Sequence, residues 1–77
     1  MTVMDYKERI ITDPNIMLGK PVIKGTRITV ELILRKLSED ITIEELLNAY
    51  PHLTKEDILA ALSYSADVIS LEELIAT

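Results

Sequence analysis

A mainly α-helical domain is what this sequence predicts: a small helix-turn-helix unit of three to four helices carrying a short N-terminal β-ribbon. Three observations carry that reading. Both glycines, Gly19 and Gly25, fall within the stretch from Leu18 to Ile28, where they bracket the β-branched pair Val22 and Ile23, as turns bracket a short extended segment. After that stretch, apolar residues recur at helical spacing. A Thr or Ser followed three residues later by an acid, a capping signature, stands at Thr42, Thr54 and Ser70. The 77 residues suffice for one domain, with the ribbon over 9–28, a helical core over 29–69 and a short C-terminal helix or tail over 70–77. A chain this small buries only roughly 60% of its unfolded surface, so size alone predicts a homodimer.

The elements follow in order. Met1 to Glu8 carry no periodicity and read as a loose lead-in. Arg9-Ile10-Ile11-Thr12 is β-prone and ends at Asp13-Pro14-Asn15, a turn signal because Asp and Asn bond their own backbone and Pro presets φ. Arg27-Ile28 is the expected second strand, paired with Arg9 to Thr12. Thr29 caps the first helix, whose Val30, Ile33, Leu34 and Leu37 share one face, and which stops around Ser38 to Asp40. Thr42 and Glu45 open the second helix, with Ile43, Leu46, Leu47 and Tyr50 inward, and Pro51 ends it. Thr54 and Asp57 open the longest helix. Its expected inner face is Ile58, Ala61, Leu62, Ser65, Ala66 and Ile69, and its small Ala60, Ala61 and Ala66 let a neighbouring helix approach. Ser70 with Glu73 predicts a separate last helix.

Composition excludes several function classes. There is no Cys, so disulfides and thiolate metal sites play no part and a reducing cytoplasm suits the chain. The N-terminus MTVMDYKERI lacks the apolar core of a signal peptide, and no apolar run approaches the roughly 18 residues of a membrane span. A soluble cytoplasmic protein with no cofactor is therefore expected. His52 is the only histidine. It sits in the Pro51–Leu53 turn, with no partner at triad spacing. Gly19-Lys20 lacks the glycine spacing of a phosphate loop. Enzyme activity is not expected.

The net charge of −5 conceals an asymmetry. Up to Lys36, seven cations face four carboxylates, a net +3. From Leu37 onward Lys55 alone opposes nine acids, a net −8, so the two halves suit different partners. Lys20, Lys24 and Arg27 are the candidate partner-binding residues, a cationic edge for an anionic surface; the alternative for Arg27 is an internal pair with Asp13 or Glu31. In the helix-turn-helix reading, Tyr50 to Leu53 is the turn and the helix from Thr54 takes the recognition position. Thr54, Lys55 and Tyr64 are the candidate contacts there for DNA or for a protein partner. The first turn, Lys55-Glu56-Asp57, reads as exposed, and its carboxylates oppose phosphate binding. Glu44, Glu45, Glu56 and Asp57 either meet a basic groove on a partner or simply complement helix dipoles. Tyr64, Ser65 and Val68 suit either a partner or dimer seam or the domain's own core.

The runs RIITDPNIMLGKPVIKGTRITVELILRKL and TIEELLNAYPHLTKEDILAALSY resemble the family known as domain of unknown function 433, over nearly the whole of Arg9 to Asp67. The DPN turn, the GKPVIKGTRI ribbon and the YPHLTKEDILAAL segment occur in the family's order and spacing. Members of that family resemble VapB-type antitoxins of helix-turn-helix fold, encoded beside a toxin with a PIN-like ribonuclease fold. The resemblance implies an antitoxin that binds and silences a PIN-like toxin protein and regulates its own operon by binding operator DNA. The competing expectation is a stand-alone DNA-binding regulator.

Overall fold

The computed structural model describes residues 6–76, with side chains over 6–71. Two strands and three α-helices follow in chain order: β1 (Ile10–Ile11), β2 (Val22–Ile23), α1 (Val30–Ser38), α2 (Ile43–Ala49) and α3 (Lys55–Ala76), preceded by a 3-10 turn at Tyr6–Glu8. The expectations for Met1 to Asp5 and for Thr77 lie outside the described residues.

The ribbon is arranged differently from the sequence expectation. β1 pairs antiparallel with β2, Ile10 opposite Ile23 and Ile11 opposite Val22. Ile28 and Thr29 lie on the other edge of β2, where Ile23 N–H donates to the Ile28 carbonyl at 2.9 Å and Val22 bridges Thr29. Arg27-Ile28 therefore does not pair with Arg9 to Thr12; Val22-Ile23 lies between them. The cause is the turn after β2. Gly25 takes φ +81, which glycine adopts without steric cost, and Thr26 N–H closes on the Ile23 carbonyl at 3.0 Å. The chain thus folds straight back on β2. The Asp13-Pro14-Asn15 turn forms as expected, with Asn15 N–H donating to Asp13 Oδ1 at 2.9 Å.

Local capping positions each helix. Thr29 Oγ1 accepts from Leu32 N–H at 3.0 Å at the start of α1. Thr42 and Glu45 exchange two hydrogen bonds of 3.1 Å at α2. Thr54 and Asp57 do the same at α3, with Asp57 replacing Glu in the reciprocal box. α1 ends in a Schellman arrangement: Ile41 N–H reaches the Lys36 carbonyl and Asp40 N–H the Leu37 carbonyl, with Asp40 at φ +66 in the position glycine usually fills.

The core consists of Ile10 and Ile23 from the ribbon, Val30 and Ile33 from α1, Leu46 from α2, Leu53 from the turn and Ile58, Ala60 and Ala61 from α3. Leu34, Leu37, Ile43, Leu47 and Tyr50 pack around it as expected. Two expectations for α3 change. Its buried side is Asp57, Ile58, Ala60 and Ala61, so Leu62, Ala66 and Ile69 are exposed rather than inward. The alanines let the helix sit closely on its neighbours, while Leu62, Ala66 and Ile69 stay on the surface. Secondly, α3 runs unbroken from Lys55 to Ala76; Ser70 starts no separate helix, because a helix already in progress leaves no free N–H groups there for a cap to satisfy. The lead-in is also tied down. The Tyr6 ring meets Tyr64 edge-on, centroids 5.5 Å apart, and its hydroxyl donates to Asp67 Oδ2 at 2.9 Å.

Candidate partner-binding surface

Between the Asp13 turn and β2 the chain makes the turn that Gly19 predicts, but its left-handed conformation takes in Met17 and Leu18 as well. Met17, Leu18 and Gly19 take φ of +49, +60 and +82. Glycine accepts this region freely, whereas a branched residue such as leucine pays roughly 1–2 kcal/mol for it. The turn is closed by Gly19 N–H to the Ile16 carbonyl at 3.0 Å and Lys20 N–H to the Met17 carbonyl at 3.2 Å. Its effect is to hold the Leu18 side chain outward, 93% exposed. Strained backbone of this kind clusters at ligand clamps and switch regions in proteins generally.

The three ribbon cations have different surroundings. Lys20 Nζ is 3.0 Å from Glu31 Oε1, and Arg35 Nη2 is 3.1 Å from Glu31 Oε2. Hydrogen bonds from Lys20 and then Arg35, with their positive charges, hold the Glu31 carboxyl below the usual glutamate range. Lys20 is thereby matched within the domain. Lys24 and Arg27 are exposed and make no ion pair among the described residues, so the expected alternative of Arg27 pairing with Asp13 or Glu31 does not occur. Arg27 borders a hollow of about 340 Å³ together with Ile16, Gly25 and Thr26. Through Ile16 this hollow joins the Arg27 turn to the left-handed turn, placing a guanidinium and an exposed leucine on adjoining loops.

Thr54, Lys55 and Tyr64 do not form one surface. The Thr54 hydroxyl is occupied by Asp57 N–H. Lys55 is exposed, without an ion pair among the described residues. Tyr64 is half-buried against Tyr6 and lines a groove of about 500 Å³ between α1 and the later turns of α3, with Leu34, Ser65, Val68 and Ile69. Asp57, expected as part of an exposed acidic first turn, is 7% exposed and paired with Arg9 Nη1 at 3.1 Å. It leaves the acidic surface, on which Glu44, Glu45 and Glu56 remain. Neither the outward-held Leu18 nor the Arg9–Asp57 pair has a signal in the sequence beyond the Met17 and Gly19 that flank Leu18. Among the described residues no three His, Cys, Asp or Glu side chains converge for a metal, and no helix is long and apolar enough to cross a membrane.

Comparison with known proteins places this geometry. A crystal structure of a DUF433 member protein from Anabaena variabilis superposes with a TM-score of 0.75 at 30% identity, over 92% of this chain and 71% of that one. An uncharacterized protein of Sinorhizobium fredii, y4eO, is 32% identical over 77% of this chain. An uncharacterized protein of Archaeoglobus fulgidus is 57% identical over 36% of this chain and 78% of its own. This chain spans only 27% of the length of the Sinorhizobium protein. The model of the family described as protein of unknown function, DUF433, matches residues 10–65, which span both strands, α1, α2 and the buried half of α3, and the chain belongs to that family.

Proposed function

We propose that this chain is an interaction module of antitoxin type, which binds and inhibits a PIN-like ribonuclease toxin in the cytoplasm and contributes no catalysis of its own. The observation that supports this reading is the left-handed turn at Met17–Gly19, which projects Leu18 at 93% exposure from the loop that adjoins, through Ile16, the turn carrying Arg27. Nucleases of that kind hold divalent metal on clustered carboxylates, and a guanidinium pairs with carboxylate bidentately. An exposed leucine supplies the desolvated anchor that a charged rim lacks. Arg27 enters or covers the acidic site, and Leu18 seats on apolar surface beside it.

The test is a pull-down with the tagged chain, followed by a binding titration against any PIN-like ribonuclease that it retains. Arg27→Ala and Leu18→Ala are each expected to weaken the complex by more than about tenfold with helicity unchanged by circular dichroism. Unaltered affinity in both would remove the ribbon from the mechanism. One observation favours a second reading, the stand-alone DNA regulator. Asp57 is withdrawn from the start of α3 by Arg9, which leaves Lys55 at the position a recognition helix uses. The same titration decides between them when repeated with duplex DNA at two salt concentrations. Phosphate-driven binding falls steeply with salt, and a packed protein complex changes far less.

A further inference from the structure

Val30 of α1 belongs to the core and also lines the bottom of the groove of about 500 Å³ that lies between α1 and the later turns of α3. From Val30 the α1 wall continues through Leu34 to Ser38, one residue in every four. The α3 wall repeats that spacing, with Tyr64 followed by Val68 and Ser65 by Ile69. Rows of side chains four residues apart are the ridges against which another helix packs. The α1 wall is about 12 Å long at the helical rise, so two to three turns of such a helix cover it.

The groove is apolar up to one edge. Its two serines are turned back on their own helices: Ser38 Oγ donates to the Arg35 carbonyl at 2.6 Å and Ser65 Oγ to the Ala61 carbonyl at 2.8 Å. Neither hydroxyl calls for a polar partner. Among the described residues that line the groove, only Glu31 and Arg35 are charged. Glu31 is shared between Lys20 at 3.0 Å and Arg35 at 3.1 Å, so two cations meet one carboxylate and the α1 rim keeps a net positive charge. A guanidinium carries five donors, more than this one contact uses.

These features select the occupant. Val68 and Ile69 on the α3 wall are 41% and 55% exposed, so the groove is open along its length, whereas sites for small molecules enclose most of their ligand. An open apolar channel with ridged walls fits the apolar face of a helix. A positive rim fits a helix whose apolar stripe is flanked by carboxylates. We propose that the groove between α1 and α3 docks an amphipathic helix of a protein partner, its apolar residues seated between Leu34 and Val68 and an acidic residue paired with Arg35. This contact goes beyond the ribbon and does not rest on it.

Fluorescence anisotropy with synthetic peptides tests the groove. The probes are helical peptides of about four turns with a leucine stripe at i, i+4 and i+7, flanked in one peptide by Glu and in the other by Lys, with a scrambled Glu peptide as control. The Glu peptide should bind the full chain at least about tenfold more tightly than either of the others. Val68→Glu lies outside the core, so helicity should persist in circular dichroism while the affinity for the Glu peptide falls at least about tenfold. Arg35→Glu should turn the preference toward the Lys peptide. Equal binding of the Glu and Lys peptides, or binding indifferent to Val68→Glu, would overturn the proposal. So would a dimer in sedimentation equilibrium that Val68→Glu dissociates, because the groove would then be covered by a second copy of this chain.

Discussion

Asp57 lies between Glu56 and Ile58 in a stretch that reads as the solvated first turn of a helix, yet it is 7% exposed. A buried carboxylate is costly unless its lone pairs and charge are matched. Here Oδ2 accepts from Thr54 N–H and Oδ1 from Arg9 Nη1, each at 3.1 Å. One side chain thereby completes a helix cap and ties β1 to α3 across the domain. Asp57→Ala removes both and strands Arg9, and is expected to lower unfolding free energy by about 2–3 kcal/mol. Asp57→Asn keeps an acceptor for Thr54 and should cost about half as much. Urea denaturation of the two variants measures the difference; a loss below about 0.5 kcal/mol for Asp57→Ala would show that the pair contributes no net stability.

At the level of elements, most starts and stops rest on chemistry local to four or five residues. Asp40 is the exception worth altering. It occupies the left-handed position of the α1 terminus at φ +66, where glycine carries no Cβ penalty. Asp40→Gly is expected to raise stability by about 0.5–1 kcal/mol, with α1 unchanged in length, seen as a higher denaturation midpoint. The locality of caps explains why they were legible in sequence. Thr29, Thr42 and Thr54 satisfy backbone groups three residues away, so spacing alone identified all three. What depended on long-range contacts was not legible. The partner of β1 is decided by the tight return at Gly25, which puts Val22-Ile23 in the middle of the ribbon instead of Arg27-Ile28. The buried side of α3 was misplaced because leucines and isoleucines occur on more than one side of that helix, and close packing selects the alanines. Of the candidate site, charge and glycine content revealed the cations. Leu18 could not be found, because an ordinary leucine in a left-handed turn leaves no mark in composition.

Across the whole molecule, the start of the described chain meets the middle of its last helix. Tyr6 and Asp67 are 61 positions apart and share a 2.9 Å hydrogen bond, and the Tyr6 ring packs edge-on against Tyr64. This contact fastens the segment before β1 onto α3 at the level where the helix leaves the core, and it narrows the range of positions the later turns can adopt relative to α1. An edge-on aromatic pair adds about 0.5–1.5 kcal/mol beyond its buried area, whereas the hydroxyl bond to Asp67 is exposed and contributes less. Tyr6→Phe should therefore change stability by less than about 0.5 kcal/mol, and Tyr6→Ala should lower it by about 1–2 kcal/mol. Hydrogen exchange separates a local role from a global one. If the contact anchors the segment before β1 to α3, Tyr6→Ala speeds exchange in the turns of α3 around Tyr64 and Asp67 more than at Ile33 or Ile58, whose amides open with the whole domain. Uniform acceleration at all four positions would mean that Tyr6 acts on global stability alone and does not hold the helix in place.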